Sequence, residues 1–154
     1  MSRPPTPPRA TGSAPLRLPL WHESLLCAVI VALTVSGGVW LVYHHLLPLN
    51  DSIATHPAET WSLRLHGGLA MLALVMVGAL LPRHVLPAWG RRLNRGSGSS
   101  MLGAMLFLTL TGYLLYYAGS PSLRDAVSVL HWVVGLALPV LLVLHMALGG
   151  RWRR

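Results

Sequence analysis

Eight histidines and no lysine are distributed over 154 residues, and two of the histidines, His131 and His145, stand fourteen positions apart in one uncharged stretch. Fourteen steps of about 100° fall within about 40° of four full helical turns, so both rings leave nearly the same face of a helix. Along the axis they are separated by roughly 21 Å. Ionisable groups are costly inside a membrane and usually mark function there. Neutral imidazole is a preferred ligand of haem iron. One helix would then present two imidazoles to the interior of a bundle, one toward each membrane surface, which is what a pair of stacked haems needs.

Each iron needs a second axial ligand at matching depth. His66 lies about six residues inside the outer end of its predicted helix and His131 about seven inside its own, heights that agree to within one turn. At the inner side, His145 sits about four residues before the end of its predicted helix and His22 about two after the start of another. The expected couples are His66 with His131 and His22 with His145. Gly67 and Gly68 after His66, Gly135 one turn past His131, and Gly37–Gly38 leave room for a flat macrocycle, although small residues also serve ordinary helix packing. Arg64 and Arg124 stand near the outer couple, able to meet propionates or lipid headgroups. Pro139, between the two histidines, is expected to bend that helix slightly.

The other four histidines read differently. His44, His45 and His56 fall at an outer membrane boundary, where interfacial residues are expected, with His44 or His45 as a substitute ligand. His84 follows His66 by eighteen residues, about five full turns, and is the best substitute for His22. Glu23 is a candidate proton-exchanging group, or an ordinary carboxylate at a helix start. Cys27 reads as a small apolar helix residue. Most of the six tryptophans and four tyrosines lie near predicted helix ends and read as an interfacial belt.

The elements that must position these rings follow from composition. Hydrophobic residues make up 53% of the chain and charged ones only 10%, against about 25% in soluble domains. Ser24–Leu46, Leu65–Pro82, Gly96–Leu123 and Ala126–Gly150 carry no charge. Each can cross a hydrocarbon core of about 30 Å, and unpaired backbone is not tolerated there, so all four are predicted to be helices. The fold expected is all-α, an integral membrane four-helix bundle. The predicted helices run from near Leu20 to His45, from Thr60 (capped by Thr60 or Ser62) to about Pro82, over Met101–Ala118, and over Leu123–Leu148. A basic inner loop is expected over Arg83–Ser100 and an outer loop over Leu47–Glu59. By domain, 1–19 is a disordered cytoplasmic tail, 20–149 the transmembrane unit and 150–154 a basic cytoplasmic tail. The first stretch is too long for a signal-peptide core and is expected to stay in the mature protein.

The net charge of +8 comes from twelve basic residues, all arginine. Arg3, Arg9, Arg17, Arg83, Arg91, Arg92, Arg95, Arg151, Arg153 and Arg154 fall on one side and only Arg64 and Arg124 on the other, the positive-inside pattern. Both termini are therefore expected inside a bacterial-type inner (plasma) membrane, with the charge serving topology and anionic headgroups rather than nucleic acid.

Taken together, the pattern resembles the two-haem cytochrome b subunits of respiratory formate dehydrogenases and nickel–iron hydrogenases. The resemblance spans nearly the whole hydrophobic length and is carried by Leu20-Trp21-His22-Glu23, Arg64-Leu65-His66-Gly67, His131-Trp132-Val133-Val134-Gly135 and Val143-Leu144-His145-Met146. Thr111-Gly112-Tyr113 is similar more loosely. It implies two haem b groups bound through His22, His66, His131 and His145, with Arg64 and Gly67 nearby. It also implies electron transfer between a redox partner subunit and membrane quinone. This chain is shorter, with smaller loops, and offers little surface for a large dehydrogenase. No nucleotide-binding glycine motif or iron–sulfur cysteine set occurs, so substrate conversion would belong to another chain. Two other function classes are a histidine-rich metal-handling or transport protein, and a cofactor-free structural or assembly subunit.

Overall fold

A computed structural model describes residues 19–47, 55–92 and 94–151. Four helices cover them: Leu20–Leu46, Pro57–Gly90, Arg95–Tyr117 and Pro121–Arg151. Even the shortest, at 23 residues, is roughly 35 Å long and exceeds the ~30 Å hydrocarbon thickness. All four are long and apolar enough to cross a membrane, and no strand occurs among the described residues. This is a multi-pass, all-helical membrane protein. Apart from Pro19, the tail expected over 1–19 lies outside the described residues, as do most of the outer loop (48–54) and residues 152–154 of the basic tail.

Helix boundaries differ from the sequence expectation in three places, each for a local reason. The second helix begins at Pro57, not Thr60. Proline at the first helical position lacks an N–H that would be unsatisfied anyway, and His56 Nδ1 accepts from the Ala58 N–H at 3.1 Å. Ser62 is already inside, donating to the Glu59 carbonyl at 2.9 Å. Because that one imidazole caps the helix, His56→Ala should cost about 1 kcal/mol of stability, read as a lower unfolding midpoint in detergent. An unchanged midpoint would show the cap to be idle.

That helix also continues past Pro82 rather than stopping there. A π-turn over Leu81–Val85 widens the ladder, and α-helix resumes from Leu86 to Gly90. The wider turn accommodates the ring and the missing N–H of Pro82, which would break a regular α-turn. The expected loop over Arg83–Ser100 thus shrinks to a tight reversal. Arg92 and Asn94 take left-handed φ values of 57° and 47°, and the third helix starts at Arg95 instead of Met101. Arg95 secures the turn by donating to the Trp89 carbonyl at 2.9 Å while lying over the Trp89 ring. At the other side, the third and fourth helices join through Ala118–Ser120, where Arg124 donates to the Ala118 carbonyl at 3.2 Å.

The first helix packs along the second, the third along the fourth, and the two hairpins meet where the first touches the fourth. Val29, Ala73 and Met76 form one buried cluster, while Ile30, Leu138 and Leu142 form another that includes Cys27 at its edge. Large side chains such as Val75 and Val143 are exposed on the outside, as expected where lipid is the solvent.

Candidate functional site

The fourth helix runs without a break through Pro139 and carries His131 and His145, and so two histidine layers, named outer and inner after the expected orientation. In the outer layer all four helices contribute. His66 comes from the second and His131 from the fourth, with ring centroids 6.2 Å apart and planes at 69°. His66 Nδ1 lies 3.1 Å from the Leu33 carbonyl and 3.0 Å from Ser36 Oγ on the first helix. A carbonyl can only accept, so Nδ1 carries the proton and Nε2 keeps its lone pair. His131 Nδ1 lies 2.8 Å from Thr111 Oγ1 on the third helix. That hydroxyl already donates to the Phe107 carbonyl at 2.8 Å, so it accepts from His131, whose Nε2 is likewise left bare.

The separation of the two rings tests what could stand between them. Imidazoles on opposite sides of one metal, each at about 2.0–2.1 Å, have ring centres roughly 6.4 Å apart, whereas a tetrahedral pair would have them roughly 5.2 Å apart. The observed 6.2 Å fits the opposed arrangement. Space at the couple is provided by glycine. A Cβ on Gly37 would stand 3.3 Å from His66 Cε1, and one on Gly112 would stand 3.5 Å from His131 Cε1. No known protein family, curated protein or solved structure matches this chain.

The inner layer is built differently. His145 Nδ1 lies 3.1 Å from Ser97 Oγ, and Ser97 is directed at the Asn94 carbonyl at 3.4 Å. His22 and His84 line one cavity with Pro19, Trp21, Leu80 and Arg83. The Nε2 atom of His22 is buried without a hydrogen-bond partner among the described residues, an arrangement that folded proteins seldom keep without a reason. The sequence expectation pairs His22 with His145, and the helix extension past Pro82 brings His84 into the same layer.

The remaining candidates are engaged elsewhere. Arg64 lies over the Trp61 ring, and Arg124 binds the end of the third helix. A Cβ on Gly67 would meet Tyr116 Oη at 3.7 Å, and one on Gly135 would meet Leu108 at 3.8 Å, both ordinary contacts. His44 is paired with Glu59 at 2.6 Å and stacks on Trp40, His45 meets both of those rings edge-on, and His56 stacks on Tyr43. All three thus lie against aromatic rings, in two groups. Sequence reasoning did not identify Ser36, Ser97, Gly98 or the role of Thr111. Their local signal is a hydroxyl residue directly before glycine: Ser36-Gly37, Ser97-Gly98 and Thr111-Gly112.

Proposed function

We propose that this chain carries electrons across a membrane through two b-type haems. His66 and His131 hold the outer one. His145 holds the inner one, with the opposing imidazole drawn from the cavity shared by His22 and His84. The observation that carries the reading is a pair of imidazoles, each held through Nδ1 so that Nε2 keeps its lone pair, at a ring separation suited to opposed ligation. His22 is favoured as the fourth ligand because it precedes Ser36 by fourteen residues. The same interval relates His145 to His131, so the face of the first helix that serves the outer couple points inward at the lower layer too.

Haem b would supply a one-electron couple at each layer, held by His66 with His131 in one and by His145 with His22 in the other. The chain's own contribution is to present neutral imidazoles, fix their tautomers and keep the couples dry and apart. With two histidines on each iron the chain would offer no site for oxygen or substrate chemistry, so the reaction that supplies electrons would belong to a partner subunit. The other exchange partner is membrane quinone, which gains two electrons and two protons on reduction to quinol and loses them on oxidation. The arginine distribution supports an orientation with both termini inside a bacterial-type inner membrane. A transition-metal carrier is less well supported, because no group of three or more metal-ligating side chains occurs among the described residues.

The purified chain should be red, with a split or broadened reduced α-band and two haems per polypeptide by pyridine haemochrome assay. A colourless preparation from haem-replete cells would sink the proposal.

A further inference from the structure

Three histidines share one arrangement, and it recurs with the same spacing on two helices. Ser97 and Thr111 on the third helix are fourteen residues apart, as are His131 and His145 on the antiparallel fourth. Thr111 therefore meets His131 at 2.8 Å in the outer layer and Ser97 meets His145 at 3.1 Å in the inner one. Ser36 on the first helix repeats the contact with His66 at 3.0 Å. Each hydroxyl is turned toward a carbonyl of its own preceding turn: Leu33 for Ser36, Asn94 for Ser97, and Phe107 for Thr111. Its lone pair is consequently what faces the histidine, and the imidazole must donate from Nδ1. After each hydroxyl comes a glycine whose missing Cβ would stand 3.3, 3.9 or 3.5 Å from the Cε1 atom of the same ring, for Gly37, Gly98 and Gly112 respectively.

In-helix Ser and Thr commonly bond their own carbonyls without further purpose. Thr34 and Thr109 do so here, to Ile30 and Met105, and show no contact with a histidine. Ser36 and Thr111, by contrast, are buried at 4% and 5% exposure and hold a ring each. We infer that Ser36, Ser97 and Thr111, each with the glycine that follows it, are positioning residues that lock three axial imidazoles as Nδ1–H donors and lower the reduction potential of the iron they ligate. This rests on the haem reading above. A hydrogen bond from Nδ1–H to an acceptor makes the ring a stronger electron donor through Nε2, which favours the ferric state. His22, the fourth ligand, shows no such hydroxyl contact among the described residues: it sits on the face of the first helix that carries Ser36, one layer below. The outer haem is thus clamped from both sides and the inner one from His145 alone.

The test measures the midpoint potential of each haem and the ferric low-spin EPR signal in the full-length detergent-purified chain. Thr111→Val keeps the shape and removes the acceptor. It should raise the outer midpoint by an amount equal to a threefold to tenfold change in the reduced-to-oxidised ratio (tenfold being about 59 mV for one electron). Thr111→Ser should restore it. Ser97→Ala should move only the inner midpoint, and Thr109→Val neither. Should Thr111→Val lose the outer haem, Ser97→Ala and the inner midpoint decide. Unmoved potentials at full haem content would overturn the positioning role and leave the electron-transfer reading standing. Absence of haem from the unaltered chain would overturn both, and the haemochrome assay separates that outcome from the first.

Discussion

Replacing His131 by Ala should reduce the haem content from two per chain to one and abolish the outer-layer EPR signal, while the inner one persists. The expectation follows from how little the outer layer can adapt. His66 cannot swing to a new partner, because its Nδ1 is held by Leu33 and Ser36 on the neighbouring helix. His44 and His45, the nearest alternatives by sequence, are occupied with Glu59 and Trp40 at the end of the first helix. A haem left with one protein ligand loses far more affinity than the 10–100-fold typical of changes behind the ligands. Bound ligand stabilises the native state by about 4 kcal/mol at a thousand times Kd, so the unfolding midpoint should fall as well. The apolar clusters around Val29 and Ile30 do not involve His131, and the helices themselves should persist by circular dichroism. His45→Ala is the matched control and should leave both haems in place. Full haem content in the His131→Ala protein would remove the outer couple from the proposal.

How much of this was legible beforehand depends on the range of the interaction that decides it. Four spans follow from uncharged apolar length, and the shared face of His131 and His145 from helix periodicity. The depth match of His66 with His131 needed only residue counts from span ends. What failed was local backbone chemistry at prolines. Pro57 starts the second helix rather than lying before it, and Pro82 is absorbed by a π-turn rather than ending the helix. The second misjudgement concealed how close His84 comes to the inner layer. The hydroxyl clamps were illegible for another reason. Thr34, Thr109 and Thr111 each bond the carbonyl four residues back, so that bond does not separate the last from the others, and the glycine after Thr111 is too common a neighbour in membrane helices to do so. Only the fourth helix, bringing His131 alongside, makes the difference. Such partners lie on other helices, and a single sequence gives no direct view of them.

Gly37→Val should have an effect almost as large as losing a ligand, although Gly37 touches no iron. A Cβ at this position stands 3.3 Å from His66 Cε1, closer than a relaxed carbon contact of about 3.5–4.0 Å. Alanine could be admitted by a shift of a few tenths of an ångström, but valine adds two further carbons to the same narrow gap. The ring cannot retreat, because its hydrogen bonds go to Leu33 and Ser36, on the very helix that would be pushing it away. Either those bonds break or the first and second helices separate around a cost of about 1–3 kcal/mol for overpacking. Both outcomes misdirect Nε2 away from His131. Outer haem occupancy should then fall in the order glycine, alanine, valine, with the inner haem retained throughout. Gly78 on the second helix has nothing within 4 Å of its Cβ position, so Gly78→Val tests whether a branched side chain in a span is harmful by itself. If Gly37→Val and Gly78→Val bind haem alike, with unaltered ligand-field spectra, the close approach of the first helix to His66 has no part in holding the site.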